Sequence, residues 1–275
     1  MTPPLLPMRH APSALLANGS EQHAIELRNL CVCYHGKRAF RDISLAVPRG
    51  EITALIGPSG CGKSSLLQCL NRLTDMIPGC HVEGDVRVEG LNIMDPAQDL
   101  LTLRRHVGML FQRPNPFPLS IRRNIELPLR EHGVIRKPEL RARIEQVLDD
   151  VGLWDEVRDR LDSPALALSG GQQQRLCLAR ALALAPRVLL MDEPCSALDP
   201  LASAKIEELI VRLRGQYTVL IVTHNLGQAR RIADHTGFFW TEDGIGRLVE
   251  FAPTHTLFNQ PQDPRTRAYI RGERG

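Results

Sequence analysis

Hydrophobic and polar positions change rhythm along the chain. Short apolar-rich runs at 24–34, 41–48 and 51–57 read as three strands. The third, Glu51-Ile52-Thr53-Ala54-Leu55-Ile56-Gly57, is nearly all apolar, as a parallel strand covered on both faces must be. A glycine-rich turn follows, then a helix from about Gly62 to Leu73. Residues 83–89 alternate like a half-exposed strand, and 107–111 form another. From Pro138 to Leu184 the character becomes helical, with Ile144, Val147, Leu148 and Val151 on one apolar stripe. Strands return at 187–192 and 217–222, each followed by a helical segment. This alternation predicts an α/β core with a mostly parallel sheet, and the helical block reads as an insertion into it.

Composition changes this picture little. The 275 residues are 43% hydrophobic and 24% charged, ordinary for a globular protein. A net charge of +3 gives no reason to propose nucleic acid or an anionic membrane as partner. The seven cysteines are scattered; Cys31 and Cys33 alternate on a strand without zinc-site spacing and read as reduced packing residues. No run of 18 apolar residues exists to span a membrane. Pro3, Pro4, Pro7 and Pro12 break the apolar runs of residues 1–22, which are expected to form a poorly ordered tail before a domain at 23–275.

Three stretches carry chemistry. Gly57-Pro58-Ser59-Gly60-Cys61-Gly62-Lys63-Ser64, with Ser65 beside it, lies between an apolar strand and a helix. Its glycines let backbone N–H groups curl around phosphate oxygens at a helix N-terminus. Lys63 is expected to reach the β- and γ-phosphates, and Ser64 to ligate Mg²⁺. Cys61, at that positive helix end, is expected to favour thiolate. The strand Leu189-Leu190-Met191 ends in Asp192-Glu193: Asp192 can hold Mg²⁺ through water, and Glu193 can accept a proton from an attacking water. In Leu168-Ser169-Gly170-Gly171-Gln172, Ser169 can cap a helix whose first amides the glycines leave open to an anion.

This last stretch resembles the signature motif of ABC ATPases, and the resemblance covers about residues 23–275. It implies a P-loop NTPase (ABC ATPase) core with a mostly parallel sheet, an antiparallel β region and an inserted helical subdomain at about 113–185. The other family landmarks follow in order. Tyr34 resembles the aromatic that stacks on adenine, favoured over His35 by ungapped counting from Ile43. Gln112 resembles the glutamine that senses Mg²⁺ and couples to the membrane subunit. Asp199, in Ser196-Ala197-Leu198-Asp199, resembles the loop that crosses to a second copy, and His224 the switch histidine at the γ-phosphate. Within the family the chain is similar to the ATPase of bacterial phosphate importers, through Gln112 to Pro118, Gly170 to Arg175, Cys177, Asp192 to Ser196, Asn71 to Gly84 and Arg265 to Gly275. The resemblance implies ATP and Mg²⁺ as cofactors and a homodimer sandwiching two ATP molecules. It also implies two ABC membrane permease subunits and a substrate-binding protein as partners. The chain would be peripheral at the cytoplasmic face of the inner membrane, touching it only through the permease. Other ABC importers, for polar amino acids or phosphonate, are the alternatives, with a DNA-handling or translation-type ABC ATPase behind them. Three features depart from the pattern: the extension at residues 1–22, Pro128, and a turn expected to run from Thr241 to Arg247.

Overall fold

The computed structural model describes residues 22–273, so the tail expected at 1–22 lies, apart from Gln22, outside the described residues. The strands are β1 (His23–Tyr34), β2 (Lys37–Pro48), β3 (Ile52–Ile56), β4 (Cys80–Val88), β5 (Leu91–Asn92), β6 (Val107–Leu110), β7 (Val188–Asp192), β8 (Thr218–Val222), β9 (His235–Glu242) and β10 (Ile245–Pro253). The helices are α1 (Lys63–Leu70), α2 (Leu100–His106), α3 (Ile121–Glu131), α4 (Lys137–Asp150), α5 (Trp154–Val157), α6 (Gly170–Ala183), α7 (Pro200–Leu213), α8 (Leu226–Ile232), α9 (Thr254–Asn259) and α10 (Pro264–Ile270). They gather into two compact units. A helical unit takes Leu110–Pro186 and Pro194–Leu209, and a sheet unit holds the other described residues, including Arg187–Glu193.

In the sheet unit the strand order is β5-β4-β1-β2-β10-β9-β3-β8-β7-β6. The sheet is mixed. β9, β3, β8 and β7 pair in parallel in that order, and β1, β2, β4 and β5 pair antiparallel. β3 and β8 are buried along their whole length and β7 along all but its last residue, which explains their near-continuous apolar sequences. Leu55, Leu190, Leu220 and Val222 meet Leu66, Leu67 and Leu70 of α1 in one core. Apolar burial on both faces, not strand propensity, is what selects these segments for the centre.

The antiparallel part is larger than periodicity predicts. β9 and β10 pair from Ile245↔Glu242 through Arg247↔Trp240, so the expected long turn at 241–247 is strand. The turn itself is Asp243-Gly244, both at positive φ (51° and 76°), the two-residue form whose twist suits a hairpin. His35-Gly36, at φ 49° and 80°, turns β1 into β2 in the same way, which is why β2 starts at Lys37 and not near 41.

In the helical unit, the stripe of α4 buries Ile144, Val147 and Leu148, with Val151 buried just beyond its end. α4 packs on α3 and α6. Arg143 donates from Nε to the Ala183 carbonyl (3.1 Å) and from a terminal nitrogen to that of Leu182 (2.7 Å), satisfying the last carbonyls of α6 with a cation where the helix dipole favours one. Pro128 sits inside α3, and the helix continues past it to Glu131. Among the described residues no helix is long and apolar enough to cross a membrane.

Leu220 is fully buried in the middle of β8, whereas Leu127 is 41% exposed on α3. Leu220→Ala is expected to cost about 3 kcal/mol of stability, and Leu127→Ala to stay within about 0.5 kcal/mol. Denaturant unfolding of both variants against the parent measures the difference.

Candidate functional site

Three parallel strands of the sheet unit end side by side, and the chemistry sits on the segment that leaves each of them. After β3 the chain enters Gly57 at φ 145°, where a Cβ would lie 2.2 Å from the Phe239 carbonyl oxygen. At Gly62, φ 93°, a Cβ would lie 2.8 Å from the Phe40 ring. Only glycine fits at either place, so the loop packs against the sheet and opens α1 with its amides uncovered by side chains. Lys63 is 6% exposed. Its Nζ donates to the carbonyls of Gly57 and Pro58 at 2.8 Å each, so the ammonium is held across the loop by two neutral acceptors.

After β7 come the carboxylates. Ser64 Oγ donates to Asp192 Oδ1 at 2.8 Å, joining the start of α1 to the end of β7. Burial pushes the Asp192 carboxyl above its usual range; Ser64 opposes this, the Glu193 charge adds to it, and Lys63 opposes it. A hydroxyl and a half-buried carboxylate side by side are the hard oxygen donors that suit Mg²⁺. Glu193 has φ 43°, a strained conformation for a side chain of its kind. Its N–H donates to the Val222 carbonyl at 2.9 Å, extending the β7–β8 ladder by one bond. The end of β8 thus sets His224 beside it, with Nδ1 2.9 Å from Glu193 Oε2.

One residue of the loop differs from expectation. Cys61 is fully buried, and its Sγ lies 3.4 Å from Lys63 Nζ. Burial raises its pKa above the usual thiol range, against the charge and hydrogen bonds of Lys63 that lower it, which runs counter to the expected thiolate. Tyr34 turns its hydroxyl inward, toward Ser65, Cys80 and Cys69, and burial raises its pKa. Its neighbour His35 is exposed. Tyr269, on α10, carries no role in the sequence motifs: its ring centroid is 5.0 Å from that of Phe238, and its hydroxyl lies near the backbone of Gly57.

The helical unit carries the second cluster. Ser169 caps α6 in a reciprocal box: Ser169 Oγ accepts from the Gln172 N–H (3.3 Å), and Gln172 Oε1 accepts from the Ser169 N–H (3.0 Å). A Cβ at Gly171 would lie 2.9 Å from Ala202 Cβ, so the close approach of α7 demands glycine there. Asp199 Oδ1 accepts from the N–H groups of Leu201 and Ala202 at 3.0 Å each, starting α7. Ser169, Gly170, Gly171, Leu198, Asp199 and Lys205 line one cleft of about 410 Å³. Gln112 is exposed in the same unit, two residues beyond β6. Gln174, fully buried, donates to the carbonyls of Phe111 and Pro194 and ties the chain on either side.

A glycine loop at the N-terminus of α1, a buried lysine across it and an acidic pair at the end of β7, separated from β3 by β8 alone, define a P-loop nucleotide hydrolase. The chain belongs to the ABC transporter ATP-binding family, whose profile, described as ABC transporter, matches residues 40–196. It is 57% identical over 251 residues to the phosphate import ATP-binding protein PstB 1 of Nitrosococcus oceani, covering 91% of each chain. It is 51% identical over 255 residues to PstB 1 of Vibrio parahaemolyticus, covering 93% of this chain and 92% of that one. Among solved structures it is similar to cbiO1 from Clostridium perfringens, part of the ABC transporter complex cbiONQ, with TM-score 0.74 and 26% identity over 90% of this chain and 95% of that one.

The environment of Cys61 predicts its reactivity. At neutral pH a maleimide is expected to modify the half-buried Cys31 and Cys195 well before Cys61. Raising the pH should speed Cys61 labelling, because only the thiolate reacts. Peptide mapping by mass spectrometry over time reads the order; early labelling of Cys61 at neutral pH contradicts it.

Proposed function

We propose that this chain is the ATP-hydrolysing subunit of a phosphate importer, acting as a homodimer on two membrane permease subunits that a substrate-binding protein supplies. It would lie on the cytoplasmic face of the inner membrane, held there by the permease, without contact to nucleic acid. The observation that carries the hydrolytic part is the pair of contacts made where β3, β8 and β7 end, Ser64–Asp192 and Glu193–His224. The cargo rests on the relatives at 51% and 57% identity, which are named for phosphate import.

The loop amides of Gly57 to Ser64 and the Lys63 ammonium cradle the β- and γ-phosphates, Lys63 exchanging two carbonyls for phosphate oxygens. Ser64 and Asp192 would hold Mg²⁺, whose charge would neutralise phosphate oxygens when bound, and Gln112 is the further ligand that the family resemblance implies. Glu193 takes the proton of the attacking water. His224, bonded through Nδ1, fixes the Glu193 carboxylate and leaves its other ring nitrogen for the γ-phosphate. Tyr34, with His35 beside it, marks the adenine end. In the dimer the Ser169-Gly170-Gly171 amides of one copy complete the phosphate cage of the other. ATP then favours the closed dimer, and hydrolysis removes the charge that both copies share.

The segment from Gln112 to Ser120 suits a permease contact. Pro114, Pro116 and Pro118 fix its path. Arg180 lies over the Phe117 ring at 4.2 Å and donates to the Asn115 carbonyl and Oδ1 at 3.1 Å each. Asn124 Oδ1 accepts from the Phe117 N–H at 2.7 Å. Phe117 stays partly exposed on this stiffened loop, an apolar anchor for a partner.

Glu193→Gln keeps the shape of the side chain and removes the proton acceptor. Turnover should fall by about 10²-fold or more, with ATP binding retained and an ATP-bound dimer trapped, visible by size-exclusion chromatography. Hydrolysis near the parent rate would remove Glu193 from this role. Cargo is read separately. Deleting the gene, in a strain without a second copy, should abolish high-affinity uptake of radiolabelled phosphate under phosphate starvation; unchanged uptake sinks the cargo and spares the ATPase.

A further inference from the structure

We propose that Glu156 is a positioning residue for hydrolysis: with Arg175 it clamps the Gln172 side chain and holds the Ser169–Gly171 turn in the form that meets the nucleotide of a partner copy. The proposal rests on the dimeric ATPase reading above. Glu156 stands on α5, outside the motif, and is 16 residues from Gln172 in sequence. Its Oε2 accepts from Gln172 Nε2 at 2.7 Å. Arg175 grips both carboxylate oxygens, at 2.9 Å to Oε1 and 3.1 Å to Oε2, and donates to the Gly152 carbonyl at 2.5 Å. Arg175 is 7% exposed, so its direction is fixed by packing as well as by charge.

The clamp decides which way the Gln172 amide faces. A side-chain amide has a donor end and an acceptor end of nearly the same shape. An ionised carboxylate only accepts, so Glu156 selects the donor end. Gln172 Oε1 is then turned to the Ser169 N–H. Burial raises the Glu156 carboxyl, but the bonds from Arg175 and Gln172 and the charges of Arg175 and Lys205 outweigh it, leaving the group below its usual range and ionised. Ser169 consequently has its N–H occupied by Gln172 Oε1 and an Oγ lone pair occupied by the Gln172 N–H. Its hydroxyl proton is left to point out of the turn, beside the first amides of α6, which no helical carbonyl can satisfy. An outward hydroxyl donor and two open amides form an anion seat whose geometry depends on one distant carboxylate. If Gln172 turns over, its NH₂ faces the Ser169 N–H, the box opens, and the seat loses its shape.

The test is kinetic. Glu156→Gln keeps the side-chain volume but removes the charge and replaces one accepting oxygen by an NH₂, which turns a donor toward the donors of Arg175 or Gln172. With full-length protein, we expect kcat to fall about tenfold, the Mg-ATP concentration for half-maximal rate to rise, and ATP-driven dimerisation of the Glu193→Gln form to weaken. Nucleotide binding to the monomer, which uses the other unit, should not change. Glu156→Ala should show the same split with an added loss of thermal stability, since it strands the Arg175 charge. Gln172→Ala supplies the decisive arm: if Glu156 acts through Gln172, adding Glu156→Gln to it changes kcat no further. Additive effects, or a Glu156→Gln protein with parental kcat and dimerisation, overturn the proposal. Should Glu156→Gln fold poorly, Glu156→Asp, one methylene too short for both partners, takes its place with the same expected split. A parent protein that neither hydrolyses ATP nor dimerises with it defeats the underlying ATPase reading instead.

Discussion

The hydrogen-bonded ladder joining β3, β8 and β7 fixes more of this molecule than any other interaction. Ile52–Leu55 pair with Val219–Val222, and Val188–Asp192 with Thr218–Val222, all in parallel. A parallel register lines up strand ends of the same polarity, so Gly57, His224 and the Asp192-Glu193 pair emerge at one edge. The Glu193 N–H bond to Val222 is a continuation of this ladder, and so is the Thr223 N–H bond to the Leu55 carbonyl. Side chains that must act together within a few ångströms are thus placed by backbone geometry, which single substitutions at the surface cannot move. The burial of all three strands makes the register costly to shift, because a one-residue slip would exchange the side chains facing each layer of helices.

Around that frame the site uses conformations that most residues avoid. Gly57 and Gly62 allow backbone contacts with Phe239 and Phe40 that a methyl group would block. Glu193 takes a positive φ without being glycine. Such strain, of order 1–3 kcal/mol for a residue in this region, is offset by the ladder bond on one side and the His224 contact on the other. Lys63 shows the same balance. Its ammonium is almost wholly withdrawn from water, and two carbonyls give it partners but no counter-charge. A buried cation in that condition gains from meeting a phosphate more than an exposed lysine would, since less water has to be removed from it.

Local pattern and spatial contact divide what could be read from the chain. β3, β7 and β8 were legible because burial on both faces writes a continuous apolar run, and α1 because a glycine loop precedes it. β9 and β10 were not: β9 mixes His235, Thr236 and Gly237 with its aromatics, β10 is half-buried over most of its length, and the Asp243-Gly244 turn is short enough to pass for part of a loop. Lys63, Ser64, Asp192, Glu193 and Ser169 could be placed at the ends of strands and the starts of helices because their motifs are contiguous in sequence. Cys61 was misjudged for the converse reason. The helix end is visible in sequence, but the full burial that raises its pKa comes from chain segments elsewhere. Glu156 and Tyr269 carry no local signal at all; their roles come from Gln172 and Arg175 in one case and from Gly57 in the other.

The two glycines at the start of α6 have different reasons to be there, and the difference bears on what the turn is for. Glycine at a helical position is less stable than alanine by up to about 1 kcal/mol. At Gly171 packing explains it, because a Cβ would press on Ala202 at 2.9 Å. At Gly170 packing does not: a Cβ there would find only Leu198 Cδ2 at 3.9 Å, ordinary contact distance, and the backbone is not in the left-handed region. An alanine would be accommodated and would strengthen the helix. What it would also do is place a methyl group on the face where the first amides of α6 line the cleft. The absent side chain therefore makes sense as access, a small sacrifice of helix stability that leaves N–H donors approachable by an anion. A capped helix start needs Ser169 and Gln172 but has no use for glycine at 170, so packing leaves Gly170 unexplained, and the anion seat proposed above supplies a reason for it.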